Sequence, residues 1–480
     1  MAQASKNILW LTSSRVAALV MLFFGYTQLF RYLGPVGTGQ QQFILSFVTI
    51  FGIIVDFGIQ NYIVKKISES PQDAKKYFHN FFAVEVLLTT VIFLIMMSIA
   101  WTQVSESTIF YGILVAGLGM AIHGLSTPFL AVMSAFQDLR KVAFLNFLSS
   151  VVNVGFIFAT IIFHKWVVFL VGNQLVFAIL SFILYYRFIK VHIPKPDLGK
   201  AMSSLDAQLV KKILTAALPF ALLAGFSTIY NRIDVLLITH MLGFSNTGLY
   251  TAAYKFYDLV AFFPAVVSHS LYPVFTGFIA RKEFLPARAV FEKYLRFMLA
   301  IAIPMGVSAS ILAGKIMNIL AGKEFSGSSQ VLSILVWAPV ALFIYIVANA
   351  VVISQLTKFA VAITGLNVVI NVIGNLILLP RVGIVGAALM TVASELLQGF
   401  FYFYFVRKKI IQFSFFKYLW QPVLASAFMG ICLWPVREQI ILVPVVVGGS
   451  AYLLALFFLG FISKEDIAFA KAIFKKGPVV

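Results

Sequence analysis

The sequence predicts an all-α polytopic membrane protein of fourteen transmembrane helices, two lobes of six and a final pair. Three observations predict it. Of 480 residues, 61% are hydrophobic and only 11% charged, with a mean hydropathy of +0.97, whereas soluble domains carry about 25% charged residues. Apolar runs of roughly 20 residues recur along the whole chain, each long enough to cross ~30 Å of hydrocarbon. A seven-residue motif also returns in the second half of the chain. The single cysteine, Cys432, excludes an internal disulfide and a cysteine metal cluster. The opening residues, MAQASKNILW, lack the apolar core and small-residue site of a cleaved signal peptide.

Spans are predicted near 7–33, 40–64, 77–101, 108–135, 140–163 and 167–189. A polar linker at 191–209 follows. Further spans fall near 210–241, 247–279, 287–317, 329–353, 356–379, 383–406, 415–434 and 439–462. The tail, SKEDIAFAKAIFKKGPVV at 463–480, reads as a short amphipathic helix on the membrane surface.

Charge tests this layout. The chain carries 36 Lys+Arg against 17 Asp+Glu, a formal net charge of +19. With fourteen spans, 27 of the cations fall on the side holding both termini and the linker, and five on the other. Cytoplasmic segments collect lysine and arginine, so both termini are predicted to be cytoplasmic. The excess is topology, and it implies no nucleic acid. Four cations remain inside the spans: Arg15, Arg31, Arg232 and Lys255.

The turn after the first span reads LGPVGTG at 33–39, and the turn after the seventh reads LGFSNTG at 242–248. Gln137 and Asn153 are matched in the same order by Gln355 and Asn371 at nearly the same offset. Both matches point to a duplication of six helices. Six is even, so the two halves share one orientation, and such repeats place a substrate site between them near the midplane. The predicted organisation is an N-lobe at 1–190, the linker at 191–209, a C-lobe at 210–409, and a final pair of helices with the tail at 410–480.

The chain resembles the polysaccharide flippases (Wzx or RfbX type) of the multidrug/oligosaccharidyl-lipid/polysaccharide exporter superfamily. The likeness rests on Leu33-Gly34-Pro35…Gly39, Asp56-Phe57-Gly58, Arg232-x-Asp234 and Gly248-Leu249-Tyr250…Ala253-Tyr254-Lys255. Gln40 stands where an aromatic residue is usual, a change confined to a helix start. The resemblance implies a MATE-like pair of lobes around a cavity that opens alternately to each side. It implies a non-enzymatic flippase of the plasma (inner) membrane that moves a lipid-linked oligosaccharide on a polyprenyl-diphosphate carrier. No cofactor is implied, and coupling to Na+ or H+ is expected. The expected form is a monomer among membrane lipids, working alongside other polysaccharide-assembly proteins.

Charges inside spans are costly and mark function. Counted from the turn at 242–248, Asp234 lies ~12 Å deep and Arg232 ~15 Å, while Lys255 and Asp258 lie about 10 and 15 Å down the next span. Two interhelical ion pairs would neutralise the set. Alternatively, Arg232 and Lys255 contact the carrier's phosphates, Arg through its planar fork and Lys as a compact charge. Asp234 and Asp258 would then hold them between turnovers or take up the coupling ion. Arg15 and Asp56 share a depth near the cytoplasmic end, where they form an ion pair or a cationic entry for the diphosphate. Arg31, beside the outer turn, either snorkels to headgroups or meets substrate. Glu395 lies ~18 Å into the twelfth span and is a candidate coupling site, or else a neutral carboxyl in a helix interface. Glu85 is a weaker case of the same kind, and His123 and His269 read as packing histidines. Asn367, Asn371 and Asn375 share one face and either bond between helices or touch sugar. Tyr250, Tyr254 and Tyr257 trace a second such face, suited to packing or to stacking on sugars. No catalytic or metal site is expected.

Competing expectations are a peptidoglycan-precursor (lipid II) flippase, a MATE-type cation-coupled drug exporter, and a membrane glycan polymerase or ligase. A drug exporter favours exposed acids over cations, and a polymerase needs large outer loops that this chain lacks.

Overall fold

A computed structural model describes residues 2–56, 58–193, 199 and 206–461. The side chains of residues 2–20, Asp56 and His269, most of the linker, and the tail after Phe461 lie outside that description. The expectations for Arg15, Asp56, His269 and the amphipathic tail therefore fall outside the described residues.

The described residues are helical, with no strand among them. In order they form α1 (Ala2–Asp56), α2 (Ile59–Glu69), α3 (Ala74–Gln103), α4 (Ser107–Ala135), α5 (Leu139–Ile162) and α6 (Val167–Ile189). There follow α7 (Ala207–Ala280), α8 (Phe284–Ile311), α9 (Ala313–Leu320), α10 (Ser328–Leu335) and α11 (Trp337–Gln355). The series closes with α12 (Thr357–Val382), α13 (Ile384–Lys409), α14 (Phe416–Leu433) and α15 (Leu442–Phe458). Ten stretches among the described residues are long and apolar enough to cross a membrane. The chain is a multi-pass membrane protein.

Three expected boundaries move. The second span ends at Asp56, because Gly58 takes φ 64°, and the chain restarts as α2. That helix buries Ile59, Ile63 and Ile67, one residue per turn. The ninth span ends at Ile311 and continues as the separate α9, while the tenth splits at Val336 into α10 and α11.

The two repeated turns are tighter than the sequence suggests. A straight 74-residue helix would run ~110 Å, so α7 must break. Gly243 alone leaves helical geometry, at φ 82°, and in α1 Gly34 does the same at φ 62°. Positive φ is strained for any residue with a Cβ. Pro35 directly follows Gly34, where its fixed φ suits the first position of a new helix. Each expected seven-residue turn is thus one glycine. Depths counted from Gly243 become ~13 Å for Asp234, ~18 Å for Lys255 and ~22 Å for Asp258 along their arms.

The chain packs as two compact units. The first comprises Met1–Ala252, Leu320–Phe325 and Thr357–Ala387. One of its cores joins α2, α3, α4, α6 and the start of α7 around Phe78, Phe81 and Phe129. A second joins α1, α3, α4, α5 and α6 around Leu29, Ile44 and Ile113. Asp206 caps α7 by accepting the Leu209 N–H at 3.0 Å, and its own N–H donates to Asn80 Oδ1 at 2.7 Å. The Leu209 N–H, and after it Lys76, hold the Asp206 carboxyl below the usual carboxylate range.

Within this unit the two glycine turns meet. A Cβ at Gly39 would fall inside the Phe244 carbonyl, and a Cβ at Gly248 inside that of Pro35. Gly39 and Gly248 hold equivalent places in the repeat, as do Pro35 and Phe244, so the contact is reciprocal. Thr38 and Thr247, also equivalent, are both buried beside it. The short segment Leu320–Phe325 packs here too, its Phe325 ring 5.6 Å from Phe30.

The second unit comprises Ala253–Ile319, Ser326–Leu356 and Ala388–Val480. Its aromatic core joins α7, α8, α13 and the segment after α13, with Phe291 5.6 Å from Phe275 and 4.8 Å from Phe413. A smaller apolar cluster around Ala425, Met429 and Tyr452 ties α14 to α15 and α8.

Gly39→Ala and Gly248→Ala should each cost about 1–3 kcal/mol, because a backbone carbonyl must move to admit the methyl. Gly225→Ala, where a Cβ meets nothing within 4 Å, should be neutral or stabilising by up to ~1 kcal/mol. Thermal unfolding of the purified variants separates the two behaviours.

Candidate functional site

Of the buried carboxylates among the described residues, Asp234 in the first unit and Glu395 in the second each gather side chains from other helices. In the first unit, Asp234 on α7 is 5% exposed. Its Oδ2 accepts the Tyr250 hydroxyl at 2.9 Å, and its Oδ1 accepts Asn375 Nδ2 at 2.9 Å. Asn375 Nδ2 also donates to Asn371 Oδ1 at 3.1 Å. The one-residue turn explains the first bond, since it brings Tyr250 to ~10 Å along its arm against ~13 Å for Asp234. The spacing of four residues explains the second, as Asn371 and Asn375 present one face of α12. Asn367 extends that face, and all three are buried. The stripe thus serves helix-to-helix hydrogen bonding around a carboxylate, and a sugar could reach Asn371 only if this packing opened.

In the second unit, Glu395 on α13 is 3% exposed. It accepts the hydroxyl of Tyr345 on α11 through Oε2, and that of Tyr257 on α7 through Oε1 at 3.5 Å. Gln398 Nε2 donates to the Tyr402 hydroxyl at 3.2 Å, and the Tyr402 ring lies 5.7 Å from Tyr345. Gly399, one turn beyond Glu395, lets the Tyr345 ring lie against α13: a Cβ there would stand 3.0 Å from that ring. Glu395 and Tyr345 line a cavity of about 560 Å³. Phe400, Phe403, Phe416 and Arg407 line it as well.

Of the remaining candidates, Lys255 pairs with Asp258 within α7 at 3.3 Å, and the two are 26% and 50% exposed. Tyr254 stacks on Tyr257 with centroids 4.9 Å apart. Arg232 is half-buried. Arg31 is exposed, with its stem beside the Gly322 turn. Glu85 is fully buried in α3, near Gly124 of α4. Asp234 and Glu395 were visible in the sequence as charges in apolar helices. Tyr345 and Tyr402 were not, because tyrosines are common in such spans and Tyr345 lies fifty residues from its partner.

Against known proteins, the model of the family described as "Polysaccharide biosynthesis protein" matches residues 4–279, more than half of the chain. The chain belongs to that family. Two curated relatives from Haloferax volcanii are similar to it. The probable low-salt glycan biosynthesis flippase Agl15 is 23% identical over 414 residues, covering 85% of each chain. The probable flippase AglR is 25% identical over 169 residues, covering 34% of this chain and 35% of its own. Among solved structures, the lipid II flippase MurJ in an inward closed conformation superposes with a TM-score of 0.76 at 15% identity, covering 94% of this chain and 99% of that one. An inward-facing multidrug MATE transporter of the MOP superfamily gives a TM-score of 0.65 at 13% identity, covering 83% and 97%. This member of the polysaccharide biosynthesis family therefore has the fold of MOP-superfamily transporters.

Tyr250→Phe should destabilise the protein by about 1–3 kcal/mol, since it strips a donor from a buried carboxylate. Tyr254→Phe should cost far less. Thermal melts of the two variants in one detergent test the difference.

Proposed function

We propose that this chain is a flippase that carries a lipid-linked oligosaccharide, on a polyprenyl-diphosphate carrier, across the plasma membrane for surface polysaccharide synthesis. One observation carries the reading. Arg232 and Lys255 stand inside apolar spans of a chain that resembles a named glycan flippase over 85% of both lengths. An anionic headgroup crossing hydrocarbon needs cationic partners partway, and these two are suited to phosphate.

In this reading fourteen spans place both termini in the cytoplasm, and lobes at 1–190 and 210–409 open alternately to either side. Arg232 and Lys255 hold the diphosphate, while Arg31 and Arg15 guide it at the two ends of its path. Asp258 competes with the phosphate for Lys255, and the 3.3 Å pair in the structure supports this part of the scheme. Tyr254 and Tyr257 offer stacked rings to sugar. A cation taken up at a buried carboxylate drives the cycle, with no cofactor and no chemistry on the substrate. The protein acts as a monomer alongside other assembly proteins.

A lipid II flippase is the second reading, favoured by the TM-score of 0.76 to MurJ. It predicts failure of cell-wall synthesis rather than loss of a surface glycan when the gene is removed.

Arg232→Ala and Lys255→Ala should each lower glycan export about tenfold or more, the effect of losing one charged hydrogen bond of 1.5–3 kcal/mol, with membrane insertion intact. Surface-glycan immunoblots normalised to protein level provide the measurement. Wild-type export by both variants would sink the phosphate role.

A further inference from the structure

We propose that Glu395 is a proton-binding site, loaded and unloaded through the cavity that it and Arg407 line. The proposal deepens the transport reading above by locating a coupling ion, and it rests on that reading only for its purpose.

The first argument is hydrogen-bond bookkeeping. Glu395 meets the hydroxyls of Tyr345 and Tyr257. A phenol hydroxyl can donate or accept. With Glu395 ionised, both hydroxyls donate to it. With Glu395 protonated, its own O–H donates to one phenol oxygen, whose hydrogen turns away, while the other phenol still donates. These two phenols can therefore serve either state without moving a heavy atom. Asp234 meets a phenol as well, that of Tyr250, and its other oxygen can accept from the Asn375 amide in either state. Glu395 adds to its phenols a cavity that it lines.

The second argument is access. A proton site needs a route to water, and Glu395 and Tyr345 line a cavity of about 560 Å³. Arg407 is ~18 Å along α13 from Glu395. The lining is rich in aromatic rings and Glu395 is buried, so its charged form is costly. Neutralisation by one proton removes that cost and leaves a hydrogen-bonded, uncharged site.

The third argument is position. Tyr345, Tyr257 and Glu395 belong to α11, α7 and α13. The charge state of one carboxyl thus sets how strongly three helices are held together. Among the described residues, the other titratable and charged groups about the site are Tyr402, Tyr404 and Arg407 on α13, and Tyr254 with the Lys255–Asp258 pair on α7. The step is a simple exchange: one proton from water converts the carboxylate to the acid, and its return to water restores the charge.

The test is infrared difference spectroscopy on the full-length protein in lipid nanodiscs, free of any glycan substrate, titrated between about pH 5 and 9. The wild type should show a protonated-carboxyl C=O band that grows as pH falls. Glu395→Gln should lose that band, and Asp234→Asn should keep it. Tyr345→Phe should move it to higher frequency, as happens when a carboxyl C=O loses a hydrogen bond. Should Glu395→Gln not fold, Tyr345→Phe and Tyr257→Phe report on native Glu395, and a band unmoved by both overturns the proposal. A Glu395→Gln spectrum identical to wild type overturns it as well. Because no glycan is present, failure of the flippase reading leaves these spectra unchanged, and failure of the proton site leaves the Arg232→Ala export result unchanged.

Discussion

The arms of α1 and α7 in the first unit are registered by one steric fact: two glycine turns touch through their backbones. Gly39 has the Phe244 carbonyl where its side chain would be, and Gly248 has that of Pro35. Such an approach is available only to residues without a Cβ, and it locks the arms of α1 and α7 at a common level. The arms then carry their polar residues to fixed heights. Asp234 meets Tyr250 because one residue, Gly243, separates their helices and leaves no slack in the turn. A longer loop would have let the arms slide, and a bond between two rigid helices in hydrocarbon is sensitive to such slippage.

Each unit also holds a buried acid in hydrogen bonds from other helices. In the first unit, Asp234 takes the Tyr250 hydroxyl and the Asn375 amide, a polar joint between α7 and α12. In the second, Glu395 meets the hydroxyls of Tyr345 and Tyr257 and borders a cavity. Hydrogen bonds between membrane helices contribute modestly to stability, on the order of 0.6–2 kcal/mol each.

Much of the fold was legible in the sequence, because a membrane imposes long apolar runs and a cationic bias that survive without any alignment. A helix stands at every predicted span. The breaks at Gly58 and Val336 were hidden, since both fall inside apolar stretches where hydropathy does not change. The turns were misjudged in length because glycine, proline and threonine together read as a loop, although one positive φ sufficed. For the site, the charges were visible as anomalies and the asparagine face as a four-residue spacing. What holds them was not visible: Tyr345 and Glu395 meet across two helices, and no periodicity records such a pairing.

The reciprocal turn also accounts for how the repeat can be recognised at all. After a duplication, each copy is free to diverge wherever its neighbours are other parts of the chain, since a change there can be absorbed locally. The stretch at 33–39 has the stretch at 242–248 as its neighbour, and each is the mould in which the other is cast. A side chain gained by either copy at Gly39 or Gly248 collides with its twin, so neither can drift alone. The likeness of the two stretches is written where each must fit the other.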